Sequence, residues 1–275
     1  MTTPQSETPL ADTAQRRGPH RMAVASGRVY FWQSASLWIG SAQGRTEWHA
    51  HHAHQLALAL EGGFRFRTDR SSAWTDFDAA IVPSHCEHEF ELDGPTVAHL
   101  FIEPESAEGR LLTRRYGALG VSALPQAAAR QAAQHLLAAY RSHCDADAMK
   151  AAARTALGML AGQTLANATT ADGDPRVARA LACIRERIRT PVSLADAAAA
   201  AALSPSRFRH LFVQETGTSF RAYLLWLRIN VAIESAMNGA SWTEAAHEAG
   251  FADSSHLTRT HRRMFGIEPT ALPRQ

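Results

Sequence analysis

The 275-residue chain predicts an α+β protein: an N-terminal antiparallel β-barrel followed by helices, then an all-α C-terminal domain with two helix-turn-helix units. Three observations carry this. Residues 22–102 hold short alternating or aromatic-rich runs (VYFWQ, ASLWIG, HQLALAL, FRFR, AAIVP, EFELD, VAHLFIE) separated by Gly, Pro, Asp and Ser, the signature of a sandwich or barrel. Past Pro104 the composition turns to Ala and Leu with helical spacing. Finally, the segment that starts at Ser193 returns 48 residues later at Ser241.

The elements follow in order. Residues 1–21 lack an apolar core, so they read as a flexible tail rather than a secretory signal. Residues 22–104 form the barrel, and 105–167 a helical segment containing two helices, 125–142 and 145–166. Two readings of this hairpin stand: it dimerises the protein, or it caps the sheet. The polar stretch NATTADGDPR breaks the periodicity, which sets a linker at 168–175, a boundary near Ala171 and a C-terminal domain over 176–275. No run is long and apolar enough to span a bilayer. Cys86, Cys144 and Cys183 form no CxxC pair, so a reducing, cytoplasmic setting is expected.

Each half of the repeat opens on a Ser with an acidic residue three positions on (Asp196, Glu244), the arrangement that caps a helix start. A short alanine-rich helix, a tight turn and a second helix follow; Ser204-Pro205 and Asp253 are suited to start the second helices. In the first copy Phe208, Leu211 and Phe212 point inward and leave Ser206, Arg207, Arg209 and His210 outward. In the second, Leu257 and Phe265 point inward and leave Ser254, Ser255, Thr258 and Arg259. Such residues suit base and phosphate contacts in a major groove. From Asp174 onward there are 13 Arg and no Lys against 9 acidic residues, although the whole chain carries only +2. The amphipathic stretch 220–239 is long enough, at about 30 Å, to place the two reading helices in successive grooves.

LSPSRFRHLFVQETGTSFRAYLLWLRI and GFADSSHLTRTHRRMFGIEPTAL strongly resemble the AraC/XylS family of bacterial transcription regulators. The resemblance covers about 100 residues. It implies a bipartite DNA-binding domain and a variable N-terminal domain that senses an effector or dimerises. The sequence departs at Leu257, where an aromatic is usual, at His261, where Phe is usual, and at Ala202, which takes the turn-glycine position of the first unit. A polar ring at His261 predicts looser packing of the second unit.

In WHAHHAHQLALAL, a strand over residues 47–60 would turn His49, His51, Gln55, Ala57 and Ala59 to one face. His52, His54, Leu56, Leu58 and Leu60 would take the other, with His52 and His54 at the surface or between layers. The first face leaves room for a ligand. Together with PSHCEHEFEL the stretch resembles the cupin barrel: His49 and His51 match the first motif, Pro83 and His88 the second, Gln55 stands in the Glu position and His85 in the glycine position. Three imidazoles suit Zn, Ni, Cu or Fe, while an amide is a weaker ligand than a carboxylate. His49, His51, Gln55 and His88 are thus the candidates for a metal or an organic effector, with His85 and Cys86 as secondary metal ligands. The alternatives of a metal site, a metal-free pocket and imidazoles that satisfy one another stay open.

The function expected is a ligand-responsive, promoter-binding transcription regulator, not an enzyme, with double-stranded DNA, an effector, RNA polymerase and a second copy of the chain as partners. Two alternatives are a cupin metalloenzyme carrying a DNA-binding appendage and a constitutive DNA binder whose barrel only dimerises. The first is disfavoured by Gln55 and by the lack of a nucleophile motif.

Overall fold

The computed structural model describes residues 22–117, 120–162 and 173–272. The tail, the boundary near Ala171, the end of the second predicted hairpin helix and the last three residues lie outside them. Eight strands form one antiparallel, nearly closed barrel: β1 Ala23–Trp32, β2 Ala35–Arg45, β3 His54–Ala59, β4 Phe64–Arg67, β5 Thr75–Phe77, β6 Ala79–Val82, β7 Glu89–Ile102 and β8 Ser122–Ala123. Their order is β1-β2-β7-β3-β6-β8, with β4 on the first half of β7 and β5 on β4. The long β7 holds the barrel together by pairing with β2, β3 and β4.

Period-2 alternation sorts the side chains as expected. Leu56 and Leu58 join Leu37, Ile81 and Leu100 on one face, all fully buried. Ala57 and Ala80 point the other way with Phe66, Phe90 and Leu92. Burying each such leucine contributes about 1.5–3 kcal/mol. The cover on the leucine face comes from α1 Ala107–Tyr116, α2 Gln126–Arg141 and α3 Ala146–Ala161, which insert Leu112, Leu136, Met149 and Leu157. The inner faces of the hairpin therefore cap the sheet. The segment after residue 104 is not wholly helical, since β8 pairs with β6 through Ala123↔Ala80 and Ser122↔Ile81. A two-residue strand is too short to leave a periodic signal.

The C-terminal domain comprises α4 Pro175–Glu186, α5 Leu194–Ala200, α6 Pro205–Thr216, α7 Phe220–Met237, α8 Trp242–Glu248 and α9 Ser254–Phe265, closed by a 3-10 turn at Pro269–Ala271. Ser193 and Ser241 each form a full capping box with Asp196 and Glu244, and Ser204 and Asp253 cap α6 and α9. The turns of the two units have the same shape. Gly250 takes φ +74°, and Ala202, one repeat earlier, takes φ +57° at a cost of about 1 kcal/mol for its Cβ. Phe208, Phe212, Leu257 and Phe265 are buried. His261 is fully buried rather than loosely packed: its Nδ1 lies 2.8 Å from the Ile267 carbonyl oxygen, and its ring sits between Trp242 and Phe265. At 18 residues α7 spans about 27 Å.

The barrel and the C-terminal domain share one core, in which Ala53 and Phe101 pack with residues of α4–α9. No helix of the described residues is long and apolar enough to cross a membrane.

Candidate functional site

The expected strand over 47–60 begins only at His54. At Glu47 and over His51–Ala53 the carbonyl oxygens are taken by groups outside the ladder. His85 N–H donates to the His51 oxygen, Ser84 Oγ to the His52 oxygen, and imidazoles occupy the oxygens of Glu47 and Ala53. A single bridge, His49↔His88, ties this segment to the strand that follows the second histidine motif.

The irregularity brings His49, His51 and His88 together, all buried, with one ring nitrogen of each within 4.8 Å of those of the others. In each ring Nδ1 faces a backbone carbonyl: Glu47 at 2.8 Å, Ala53 at 2.8 Å and Cys86 at 3.0 Å. A neutral imidazole has one N–H, so at His49 and His88 these contacts fix the tautomer and leave Nε2 as the lone pair, whereas both ring nitrogens of His51 face oxygens, those of Ala53 and the Gln55 side chain. The His88 Nε2 is buried without a partner. Burial, reinforced by the neighbouring rings, lowers His49 to about 3 and His88 well below its ordinary value, and burial lowers His51 to about 4. Three neutral rings, each oriented from behind by a carbonyl, fit the donor set and outer shell of a divalent transition metal.

Gln55 lies beside this group. Its amide spans His51 Nε2 and His99 Nδ1, each at 2.8 Å. Gln55 Oε1 faces His51 Nε2, and the Gln55 Nε2–H donates to His99 Nδ1. His99 was not among the candidates expected from sequence. It sits in β7, opposite Ala57, and only the alternation of VAHLFIE hints that it shares the cavity face with Val97 and Phe101.

The secondary ligands do not join the site. His85 is exposed at φ +62°, the backbone shape usually given to glycine, and its ring approaches His52. The Cys86 thiol turns to the Glu87 carbonyl. His52 and His54 are buried rather than on the surface, lying between layers: His52 Nε2 is 2.9 Å from Glu105 Oε2 and His54 Nε2 is 2.8 Å from Thr113 Oγ1.

A small, mainly apolar cavity of about 100 Å³ opens beside His49, Gln55 and His99. Its barrel walls include Val29, Trp38, Phe90 and Val97, and the C-terminal domain contributes Met237, Phe265, Ile267 and Leu272. Both domains therefore touch whatever fills it. The seam beside it is tight: Glu47 N–H donates to the Gly266 carbonyl (2.7 Å), Arg262 pairs with Glu47 (2.7 Å), and the Trp38 ring packs at a tilt against Phe265, 4.9 Å between centroids.

A second, polar contact joins the domains. Arg185 on α4 pairs with Glu103 and faces Glu105 at 3.7 Å, while Trp226 Nε1 donates to Glu103 (3.0 Å) and Arg185 donates to the Tyr223 hydroxyl (2.8 Å). In the FIEPES sequence these carboxylates gave no sign that they would be buried.

Of the residues expected to contact DNA, Ser206, Arg207, Arg209 and His210 lie exposed on α6, and Ser255 and Arg259 on α9, with Ser254 and Thr258 half-buried. Thr258 Oγ1 donates to the Ser254 carbonyl (2.9 Å), which ties it to its own helix.

Residues 197–275 match the helix-turn-helix domain family. Over 85 residues the chain is 33% identical to the transcriptional activator RhrA of Rhizobium meliloti (strain 1021), covering 30% of this chain and 27% of that one. Over 108 residues it is 31% identical to the uncharacterized HTH-type transcriptional regulator YidL of Escherichia coli (strain K12), covering 37% and 36%. The chain thus spans about a third of the length of these curated relatives. The crystal structure of unsaturated fatty acid-bound wild-type ToxT from Vibrio cholerae strain SCE256 has the same fold over 91% of this chain and 95% of that one, with a TM-score of 0.53 at 11% identity. Barrel, helical cover and duplicated units define a two-domain helix-turn-helix protein. Its C-terminal part, residues 197–275, is a helix-turn-helix domain.

Proposed function

We propose that the chain is a ligand-responsive transcription regulator that binds promoter DNA through α6 and α9 and senses a small effector in its barrel. The observation that carries the reading is the cavity walled by both domains. An occupant binds the docked and undocked arrangements with different affinity, and that difference is what lets a ligand change DNA binding. The mainly apolar walls, with His49, Gln55 and His99 beside Arg28, Ser41 and Thr46 as the polar groups, suit an apolar molecule with a polar head. The likeness to a fold solved with an unsaturated fatty acid supports that ligand class.

His49, His51 and His88 would hold Zn, Ni, Cu or Fe, with Gln55 as a weak fourth contact. A divalent ion there would place positive charge beside the polar groups of the cavity and favour an anionic effector head.

The decisive experiment selects genomic fragments with the purified protein and measures affinity with and without zinc and candidate apolar carboxylates. An affinity indistinguishable from that for scrambled DNA under every condition sinks the reading. Arg207→Ala and Arg209→Ala are expected to weaken specific binding by about 1–3 kcal/mol each, with a smaller loss on random DNA; equal losses would restrict these residues to phosphate contacts. Protein purified without a tag or chelating column is expected to take up about one zinc per chain. His88→Ala should lower zinc affinity by at least the roughly 10–100-fold that loss of an outer-shell partner produces; unchanged affinity in calorimetry rejects the site.

A further inference from the structure

The segment His49–His54 touches two different parts of the molecule. His49 and His51 turn to His88 and the sensing site. The residue between this site and β3 turns the other way: His52 contacts Glu105, and its ring lies 5.3 Å from that of Tyr223 and 6.1 Å from that of Trp226, both on α7. Next to it Ala53 receives the His51 Nδ1 contact on its carbonyl while its methyl packs in the core shared with the C-terminal domain.

The polar side of this contact is an ion-pair cluster in which Glu105 Oε1 reaches Arg185 only at 3.7 Å. Glu105 faces Arg185 as well as His52, and Arg185 holds Glu103 and Tyr223. These groups are buried or nearly so, and leaving a buried carboxylate without its partner is costly. Such a cluster shifts between discrete arrangements rather than deforming gradually. It also stands at a sensitive place: α4 packs on α5 and α6, and α7 carries α8 and α9, so both reading units hang on the two helices that the cluster grips.

Building on the proposed sensing role, we propose that His52 is a positioning residue that couples the imidazole site to α4 and α7 through Glu105 and Arg185, so that site occupancy sets the docking of the DNA-binding domain. The apolar seam at Phe265 and Gly266 is a separate contact that does not run through His52, and the two are separable by experiment.

Linkage supplies the test, because zinc must change DNA affinity by the same factor by which DNA changes zinc affinity. Zinc chloride is titrated into the full-length protein with and without a fragment selected by the wild type, and the ratio of zinc affinities is read. The wild-type ratio is expected to be about 10-fold, within the usual range for coupled sites. In His52→Ala zinc and DNA should each still bind, but the ratio should fall toward one. His52→Gln, which still offers Glu105 a donor, should recover most of it. Should His52→Ala not fold, Glu105→Gln is the second variant and is expected to lose the ratio in the same way. A ratio that stays near the wild-type value in His52→Ala or Glu105→Gln overturns the proposal and leaves sensing intact. Wild-type protein that takes up no zinc, or whose zinc affinity ignores DNA, overturns the metal-sensing reading and the proposal together.

Discussion

Metal-free protein taken from pH 7 to pH 5 is expected to lose its tertiary structure. Burial lowers His49 and His99 to about 3 and His51, His54 and His261 to about 4, against an ordinary value of 6.5. The unfolded chain therefore takes up protons at these positions below about pH 6.5, and the folded chain does so only near pH 3–4. The stability they contribute is complete above the ordinary value and is lost as pH falls toward the folded values. At pH 5 each imidazole accounts for about 2 kcal/mol, so the five together reach on the order of 10 kcal/mol, comparable to the whole stability of a domain. His52 acts in the opposite sense. Burial works against its charge, but the Glu105 carboxylate outweighs this and raises it, so its contribution is present at low pH and fades as pH rises through its folded value. One such group does not offset five. Thermal melts and near-ultraviolet circular dichroism at pH 7, 6 and 5 check the prediction; an unchanged melting temperature rejects it. Saturating zinc should move the transition to lower pH, since protons and metal compete for the same nitrogens.

Gly266→Ala is expected to destabilise the protein by about 2–4 kcal/mol and to detach α9 from the barrel. Gly266 caps α9 at φ +67°, where any Cβ costs about 1 kcal/mol. The added carbon would also lie 2.4 Å from the Glu47 carbonyl oxygen and 2.6 Å from His49 Nδ1, both fixed by the bonds described above. Relief requires the seam to open, which breaks the Glu47–Gly266 hydrogen bond and withdraws Phe265 from the cavity wall. Gly217→Ala is the control. It has the same role and φ +70° at the end of α6, but open space around the new carbon, so only the backbone cost of about 1 kcal/mol is expected. Chemical denaturation compares the two, and equal losses would show that the barrel contact at Gly266 carries no weight.

The contrast between these glycines shows how far the sequence could be read. Both are legible as helix ends, because a C-cap is settled within four residues. That one of them also abuts His49, more than 200 positions earlier in the chain, is not. The same division runs through the candidate site. Strand alternation placed His49, His51 and Gln55 on one face and the cupin resemblance added His88; the structure brings His49, His51 and His88 together despite the unexpected break before His54. The sequence also suggested His85 and Cys86, which turn away, and it missed His99, whose partner Gln55 lies on the neighbouring strand.

The sequence by itself determined the capping boxes, the turns at Ala202 and Gly250, the inward stripes of α6 and α9 and the alternation of the barrel strands. Each depends on neighbours a few residues apart, so each is present in the local pattern. Only the tertiary structure decided that Phe265 would wall a cavity of the barrel, that His261 would be buried whole, and that Glu103, Glu105 and Arg185 would lose their water together. Desolvation and ion pairing depend on which surfaces meet, and that is fixed when the two domains pack on one another.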